Sequence, residues 1–376
     1  MTWHILTGEY PPGCGGVGDY TAGLAHALAA AGDHVHVWTV GGGQAVTDAR
    51  ISVHRLPDAF GARSRQVLDA SLRETPGVVL LQYVPNALGA RGANLPFCFW
   101  FARLRRRMPD VRVMFHEPYF YFRRSRPWAA SNALAIVQRL MARVLLGGSM
   151  RVYYSTETWR RYLRPGNGRA AQALPIPSTI PSDAGDAAIA RAREAATGGD
   201  RGALLAGHFG TYGAHVAAEL RTILPELVAR MPAVRIALLG DGGPAFVRDL
   251  PSVAGRAWAP GRLEPAEVAA ALRACDVLLQ PYPDGITTRR TSAMAGIGNG
   301  VATVSTSGAL TEPVWNDTGA VALVPAGDAR AFVEAAGRLL RDADARTALG
   351  RRAAEVYTAR FSMAHTVAIL RGAPAS

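Results

Sequence analysis

Gly13-Cys14-Gly15-Gly16-Val17-Gly18 is a glycine-rich turn that separates two segments of different hydrophobic periodicity. Residues 3–6 are short and apolar, as in a buried strand, and residues 20–31 have helical periodicity. Residues 35–40 alternate again, so the opening predicts strand, turn, helix and strand. Asp19 is placed to cap the helix, whose exposed amides favour an anion. The alternative is a turn whose glycines only permit close packing.

The same alternation of strands and helices continues along the chain. Further strands are predicted at residues 78–82, 111–115 and 151–155, and then at 203–206, 236–239, 277–280 and 301–305. Helical segments separate them, which is typical of an α/β protein with a parallel sheet covered on both faces. We therefore expect two doubly wound, Rossmann-like domains that face each other across a cleft.

Prolines mark the boundary between the two predicted domains. Residues 175–183 contain three prolines, which disfavour both a helix and a central strand. We predict a first domain at 1–175, a linker and leading helix at 176–200, and a second domain at 201–355. The remaining helix, 356–376, is expected to return to the first domain.

Composition restricts the class of function. The 376 residues are 49% hydrophobic and 19% charged, which indicates a folded protein. The formal net charge is +12 and the chain contains no Lys, so every strong cation is Arg. This charge suits an anionic small ligand, an anionic membrane or a nucleic acid, but the sequence shows no nucleic-acid module.

Cysteine usage and hydropathy predict the compartment. Cys14, Cys98 and Cys275 show no metal-binding spacing, and we expect them to be reduced. The start has no basic export signal, and no apolar stretch is long enough to span a membrane without a charge. We expect a cytoplasmic protein without a metal site, with peripheral contact at the inner membrane face as an open alternative.

Several motifs in both halves resemble those of one enzyme family. The first half contains Glu9-Tyr10-Pro11-Pro12 ahead of the glycine turn, and the second contains Leu239-Gly240-Asp241-Gly242-Gly243 and Ala293-Met294-Ala295-Gly296. Together they resemble family 4 glycosyltransferases of the GT-B fold. The resemblance implies transfer of a sugar from a nucleotide-diphosphate donor, UDP- or GDP-linked, with retention of configuration and without a metal or other cofactor.

The central motif of that family is altered in this chain. The family has a Glu, seven intervening residues and a second Glu, whereas here Asp284 and Ser292 occupy the two positions. The resemblance implies that Asp284 contacts the donor sugar and that Ser292 contacts the ribose. Asp284 keeps a charged acceptor on a shorter side chain, and Ser292 keeps one neutral hydrogen bond. The loss of both glutamates leaves open a binding protein with weak or no catalysis.

Cations for the donor diphosphate are expected beside this motif. Arg289 and Arg290 follow Thr287 and Thr288 at the start of a helix, where amides also favour phosphate. His208 and the Gly210 amide are assigned to the donor phosphates, with His208 protonated. The alternatives are surface arginines and a structural histidine. Gly16 and Gly18 of the glycine turn are further donor-side candidates because of their amides, and Glu312 is one by resemblance.

The acceptor and the transferred sugar are assigned to the first domain. His116 follows a predicted strand, so its side chain belongs at the carboxyl edge of the sheet, and the resemblance places it near the sugar as a catalytic residue with Asp284. Glu9, Tyr20, Glu117 and Tyr119 are acceptor-side candidates.

Residues 97–107 and 119–126 combine aromatic and basic side chains. They could contact lipid headgroups or an anionic acceptor, or could form a half-buried helix with a solvated Arg face. The acceptor is therefore lipid-linked or an anionic small molecule in these expectations, and nucleic acid is not expected.

Overall fold

The computed structural model describes residues 1–13, 15–41, 46–47, 49–120, 130–163 and 170–372. The chain divides into two compact units. The first comprises Met1–Pro175 and Leu370–Gly372, and the second includes Ile176–Ile369. Each unit is a mostly parallel sheet with flanking helices, so the predicted two-domain, Rossmann-like α/β fold is confirmed. No helix in the described ranges combines the length and apolarity required to cross a bilayer.

The first unit contains an eight-stranded sheet. In chain order the strands are β1 (Thr2–Thr7), β2 (His34–Thr39), β3 (Val46–Thr47), β4 (Ile51–Arg55), β5 (Val78–Tyr83), β6 (Asp110–Phe115), β7 (Arg151–Tyr154) and β8 (Gln172–Ala173). They lie in the order β3-β4-β2-β1-β5-β6-β7-β8, and all pairs are parallel except β3 with β4. Every residue of β5 is buried, as expected for a central strand covered on both faces.

Four α-helices are described in the first unit: α1 (Gly16–Ala30), α2 (Ala62–Glu74), α3 (Leu95–Leu104) and α4 (Ala130–Gly148). Helix α3 begins where the Asn94 side chain accepts a hydrogen bond from the Phe97 amide at 3.2 Å. Its buried face carries Phe97, Phe101 and Leu104, which join the core cluster of this unit. The spacing of four and three residues is that of one helix face.

The second unit contains a six-stranded parallel sheet in the order β11-β10-β9-β12-β13-β14. In chain order the strands are β9 (Leu204–Phe209), β10 (Val234–Leu239), β11 (Ala257–Gly261), β12 (Val277–Gln280), β13 (Thr303–Ser307) and β14 (Ala322–Pro325). Since all strands run the same way, the loops after β9, β10 and β12 emerge at one edge.

The helices of the second unit cover both faces of its sheet. They are α5 (Asp186–Thr197), α6 (Ala214–Arg230), α7 (Gly243–Arg248), α8 (Pro251–Ala254), α9 (Pro265–Ala274), α10 (Thr291–Gly298), α11 (Pro313–Thr318), α12 (Ala329–Arg341), α13 (Ala343–Arg360) and α14 (Met363–Leu370). Helix α9 starts with Pro265 after Glu264, whose amide donates to Glu267 Oε2 at 2.9 Å. This is the reciprocal capping arrangement that fixes a helix start.

The structure corrects two element boundaries. Helix α1 begins at Gly16 instead of after Gly18, because a side chain from outside the helix satisfies its first amides, and Asp19 lies in the first turn. The segment predicted as one C-terminal helix is interrupted at Phe361, and α14 begins where Ser362 Oγ accepts from the His365 amide. The strands β4, β11 and β14 were not predicted, since each has a polar or partly exposed pattern.

The C-terminal end of α14 contributes to the first unit. Arg112, which is nearly buried on β6, forms an ion pair with Asp110 and donates to the Leu370 carbonyl. Arg371 lies 3.6 Å from the carboxylate of Asp33, which also holds the N-terminal ammonium group. Leu370 and Arg371 are therefore bound by charged contacts to β6 and to the turn before β2.

Candidate functional site

A cavity of about 660 Å³ lies at the carboxyl edge of the sheet in the second unit. The loops after β9, β10 and β12 and the start of α10 line it. Gly240, directly after β10, has φ of +123°, and a side chain there would overlap the Gly210 carbonyl. Glycine therefore allows the loops after β9 and β10 to approach each other behind the cavity.

Two arginines supply positive charge to this cavity. Arg289 and Arg290 both line it, directly before α10 begins at Thr291. The guanidinium of Arg290 lies over the Tyr282 ring, with Cζ 4.6 Å from the ring centroid. A flat cation held against an aromatic face keeps its edge N–H groups available, which suits a phosphate. Contact of Arg289 and Arg290 with a donor diphosphate stays a prediction.

Ser292 takes part in a short hydrogen-bond chain. Its Oγ lies 3.0 Å from the Tyr282 hydroxyl, and that hydroxyl donates to Gln280 Oε1 at 2.9 Å. A phenol has a single hydrogen, so Ser292 donates to Tyr282 and keeps its lone pairs as acceptors. Since Ser292 also lines the cavity, it can accept a hydrogen bond from a ligand hydroxyl. Burial raises the pKa of Tyr282 to about 12, so this phenol stays protonated.

His208 presents one ring nitrogen without a hydrogen-bond partner. Its Nδ1 lies 2.8 Å from the Leu279 carbonyl, which can only accept, so Nδ1 carries the hydrogen. Nε2 is buried, has no partner, and belongs to a side chain that lines the cavity. Burial lowers the pKa of His208 to about 4, so the ring is neutral at pH 7. A neutral ring does not supply the cation that we predicted at His208, because its Nε2 is an acceptor, and contact of His208 with the donor phosphates stays a prediction.

The Gly210 amide is already hydrogen-bonded within the protein. It donates to the Leu239 carbonyl at 3.1 Å, which continues the ladder between β9 and β10. The phosphate role predicted for this amide does not fit that geometry. Amides beyond it are better placed, because the first turn of α6 has no acceptors within the helix and Thr211, Tyr212 and Val216 line the cavity.

Thr288 and Glu312 contact each other behind the loop before α10. The buried Glu312 carboxylate accepts from the Thr288 amide, from Thr288 Oγ1 at 2.7 Å and from Trp315 Nε1 at 3.3 Å. Neither they nor the buried Thr287 are among the residues around the cavity. Their contacts hold the shape of the loop that carries both arginines. Direct contact between these three residues and a donor stays a prediction.

Asp284 lies at an exposed turn after β12 and outside the cavity lining. The next residue, Gly285, has φ of +89° and packs so closely on Gly308 that a side chain would overlap it. Among the described residues the Asp284 carboxylate has no hydrogen bond or ion pair. It is therefore available to accept hydroxyl groups, and its contact with a sugar stays a prediction.

The charges around the cavity favour an anion that also carries hydroxyl groups. Arg289 and Arg290 outnumber Asp241, the acidic residue in the lining. Ser292 Oγ, His208 Nε2 and the Asp241 carboxylate are acceptors for hydroxyl hydrogens. Within the described part of the chain no three His, Cys, Asp or Glu side chains are grouped to hold a metal ion. A phosphate ester of a polyol fits this set of groups.

Glu9 occupies the helix start in the first unit. Its Oε1 accepts from the Val17 amide at 2.9 Å and from the Gly18 amide at 3.1 Å. A side chain at Gly15 would overlap the Glu9 carboxylate, which explains one glycine of the turn. The Gly18 amide is thus engaged by the chain itself, and its predicted donor contact does not fit. The donor role of Gly16 and the acceptor role of Glu9 stay predictions.

His116 and Tyr20 meet at the carboxyl edge of the first sheet. Their rings pack edge to face, 5.3 Å apart, and His116 Nε2 donates to Gln82 Oε1 at 2.7 Å. The hydroxyls of Tyr20 and Tyr153 and Gln82 Nε2 are buried without partners. Buried polar atoms of this kind meet an ordered water or a ligand. The structure therefore brings two predicted residues into one polar cluster that can take hydroxyl groups.

Tyr119 and Glu117 follow His116 on the same loop. Tyr119 packs against Arg139, with Cζ 4.3 Å from the ring centroid, and against Tyr162. Glu117 is half-buried and has contacts of its own. Their acceptor-side roles stay predictions. Residues 121–126 of the predicted aromatic and basic segment, and Cys14, lie outside the described residues, whereas Cys98 and Cys275 are buried free thiols.

The cavity lining also includes residues that the sequence did not single out as ligand contacts, among them Tyr212, Asp241 and Tyr282. Asp241 and Tyr282 lie in or next to the motifs that were recognised, so their position at strand ends was the available signal. Tyr212 has φ of +54°, an uncommon value for a residue with a side chain. Nothing in the local sequence distinguishes it from any aromatic residue of a turn.

Two protein-family models match the chain, one largely over each unit. Residues 15–179 match the glycosyl transferase 4-like domain, and residues 203–342 match the glycosyl transferases group 1 domain. The two matches together cover most of the described chain. A search of curated protein sequences gave no significant match.

Solved structures of the same architecture cover nearly the whole chain. A sucrose-phosphate synthase from Thermosynechococcus elongatus superposes with a TM-score of 0.68 at 16% identity, covering 98% of each chain. A glycosyltransferase from Rickettsia africae gives 0.69 at 12% identity over 98% of this chain and 96% of its own. Anabaena HepE, in complex with UDP and glucose, gives 0.66 at 14% identity over 99% and 98%. At these identities the likeness shows the fold.

Proposed function

From the premise that both domains of this chain are glycosyltransferase domains on the GT-B fold, we propose that it transfers a sugar from a nucleoside-diphosphate donor to an acceptor. The donor is bound by the second unit and the acceptor by the first. The observation that carries the donor assignment is the cavity at the edge of the second sheet, where Arg289, Arg290 and the start of α10 lie together.

The proposed donor pose follows from the chemistry of each group. The diphosphate lies against Arg289, Arg290 and the amides at the starts of α6 and α10. The ribose donates a hydroxyl to Ser292, which lines the cavity. Similar proteins support the nucleotide class, since Anabaena HepE was solved with UDP and glucose. UDP is therefore the first ligand to test, with GDP as the alternative.

We propose a retaining, metal-independent transfer by a family 4 enzyme. As the bond between sugar and diphosphate breaks, negative charge grows on the departing diphosphate, and guanidinium groups fixed beside it stabilise that charge. Asp284 orients the donor sugar through its hydroxyls, and His116 contacts the sugar near the reacting carbon. The transferred group is a hexose or a related sugar. The acceptor is lipid-linked or an anionic small molecule, because the first unit carries exposed arginines beside apolar side chains.

A second candidate is a nucleotide-sugar-binding protein that turns over slowly or not at all. It is motivated by the sequence, in which Asp284 and Ser292 replace the two glutamates of the family motif. Ser292 makes a weaker hydrogen bond to ribose than a carboxylate does. Both candidates require the donor cavity, so binding and turnover have to be measured separately.

Binding is tested by thermal denaturation with UDP, GDP, ADP and TDP. A nucleotide at about 100 times its dissociation constant should stabilise the fold by about 2.7 kcal/mol. The Arg290→Ala variant should bind the same nucleotide about 30-fold more weakly, because a charged hydrogen bond is lost. Arg351→Ala, an exposed residue of α13 away from the cavity, is the matched control and should bind as the wild type does. Unchanged melting with all four nucleotides would refute the donor site.

Turnover is tested by release of nucleoside diphosphate from a panel of nucleotide sugars, with and without candidate acceptors. Asp284→Asn keeps the shape of the side chain and removes its charge. It should lower kcat about 100-fold and leave nucleotide affinity unchanged. Asp284→Glu should retain most of the rate. Binding without any turnover in the wild type would favour the second candidate.

A further inference from the structure

Helices α3 and α4 of the first unit each expose an apolar stripe followed by arginine. On α4, Ile136 is 59% and Leu140 43% exposed, and the exposed Arg143 continues the same face at a spacing of four and three residues. On α3, Phe99 is 45% exposed and Arg103 follows it one turn later. Both helices therefore have the same order of apolar and cationic groups.

The two stripes form one surface. Gly148 of α4 packs so closely on Ala102 of α3 that any side chain at Gly148 would overlap it. Phe99 and Val144 line a common depression of about 580 Å³, and Leu140 lies one turn before Val144. We call this region the α3–α4 surface, and its outward residues are Phe99, Arg103, Arg106, Ile136, Leu140 and Arg143.

The arginines of this surface lack counterions among the described residues. Some other arginines of the first unit form ion pairs, as Arg107 does with Asp69 and Arg112 with Asp110. In the part of the chain that the structure describes, Arg103, Arg106 and Arg143 form no ion pair, and the depression between them has no acidic residue in its lining. Cations that lie beside exposed apolar groups suit a partner that is both anionic and apolar.

We propose that the α3–α4 surface docks on an anionic lipid bilayer. Phe99, Ile136 and Leu140 enter the boundary between headgroups and acyl chains, and Arg103, Arg106 and Arg143 contact lipid phosphates. A nucleic acid would satisfy the arginines and could stack on Phe99, but it offers no apolar phase for Ile136 and Leu140. The surface lies in the first unit, whereas the donor cavity lies in the second.

Vesicle flotation of the full chain tests the proposal. The wild type should float with vesicles of equimolar phosphatidylcholine and phosphatidylglycerol, and should not float with phosphatidylcholine alone. The double variant Arg103→Ser with Arg106→Ser should bind the anionic vesicles about 30-fold more weakly, as expected for two lost charges near the surface. The pair Arg201→Ser with Arg351→Ser removes the same charge from exposed positions of the second unit and should stay within about twofold of the wild type.

A second measurement separates the apolar contribution. Phe99→Trp should give a blue-shifted fluorescence difference spectrum with the anionic vesicles, because the new indole leaves water. It should show no shift with the neutral ones. The double variant Phe99→Ser with Leu140→Ser should lose about tenfold in affinity and keep its melting temperature, since both side chains are exposed.

Three results would overturn the proposal. One is vesicle binding that the Arg103 and Arg106 variant and its control lose equally. Another is an unshifted difference spectrum of the Phe99→Trp variant while that protein floats. The third is a wild type that does not float with either kind of vesicle but binds a DNA or RNA oligonucleotide through Arg103 and Arg106. That result would assign the surface to nucleic acid.

Discussion

Both units place a glutamate against backbone amides close to a helix start, but the two glutamates engage different amides. In the first unit Glu9 binds the amides of Val17 and Gly18, at the start of α1 itself. In the second, Glu312 binds Thr288 on the loop before α10 and lies outside the cavity lining. The start of α10 therefore still faces the cavity, next to Arg289 and Arg290. The amides at a helix start can bind an anionic ligand only if no carboxylate of the chain already accepts their hydrogen bonds.

The strand-end histidines differ in the same way. His116 Nε2 is bonded to Gln82, whereas His208 Nε2 is buried without a partner beside the cavity. Four measurements would break or sharpen this comparison.

The largest effect is expected from Glu312→Ala. It leaves the Thr288 amide, the Thr288 hydroxyl and the Trp315 indole without their acceptor inside the protein. We expect a loss of about 4 kcal/mol in the free energy of unfolding, measured by urea denaturation. Glu312→Gln keeps one acceptor oxygen and should lose about half as much. An equal loss in both variants would show that the carboxylate does not hold the loop.

Acid should reduce the stability of the second unit through His208. Its folded pKa is about 4, below the ordinary 6.5, so below pH 6.5 the unfolded chain binds a proton that the folded chain excludes. This stability is present above pH 6.5 and is lost as the pH falls towards 4. The stability advantage of the wild type over His208→Gln should shrink by about 3 kcal/mol between pH 7 and 4.

His4, in the first unit, also has a pKa lowered to about 4 by burial and serves as the comparison. It donates from Nε2 to the Thr75 carbonyl and accepts from Trp38. The His208→Gln variant should therefore keep the part of the pH-dependent free energy of unfolding that comes from His4. A pH profile that does not depend on the residue at 208 would contradict a neutral buried ring.

Glu9→Ala should destabilise the first unit by about 2 kcal/mol, because two first-turn amides of α1 lose a charged acceptor. Nucleotide affinity should not change, since the donor cavity is built from the second unit. Calorimetric unfolding and UDP titration of the same variant measure both. Glu9→Gln retains one acceptor and is the matched control. If UDP binding weakened in Glu9→Ala but not in Glu9→Gln, the glycine turn would have to be assigned to the donor site after all.

The smallest effect is expected from Tyr282→Phe, which keeps the ring under Arg290 and removes the hydroxyl that Ser292 donates to. Ser292 is then free to rotate, and UDP should bind about fivefold more weakly. Ser292→Ala should give a similar loss, and the double variant should add little to either. Additive losses would show that the two residues act separately.

The sequence allowed prediction of the sheets because their central strands are continuous apolar runs. β5, β12 and the core of β9 were recognised in this way, whereas edge strands such as β11 and β14 are partly exposed and lack that signal. The arginines before α10 were located through their motif. The engagement of the Gly18 and Gly210 amides was not predictable, because their partners Glu9 and Leu239 are brought near by the fold. The neutral state of His208 likewise depends on burial, which no local pattern encodes.

The attachment of Leu370 and Arg371 to the first unit affects how the chain folds during its synthesis. Arg112 and the Leu370 carbonyl that it binds are separated by 258 positions. A ribosome adds residues in order, so β6 is synthesised long before the Leu370 carbonyl. Until residue 370 has been added, Arg112 lacks this hydrogen-bond acceptor. We expect a nascent chain stalled before residue 370 to leave β6 more sensitive to protease than a released one. The first half of the gene product thus reaches its full stability only when the second half has been translated.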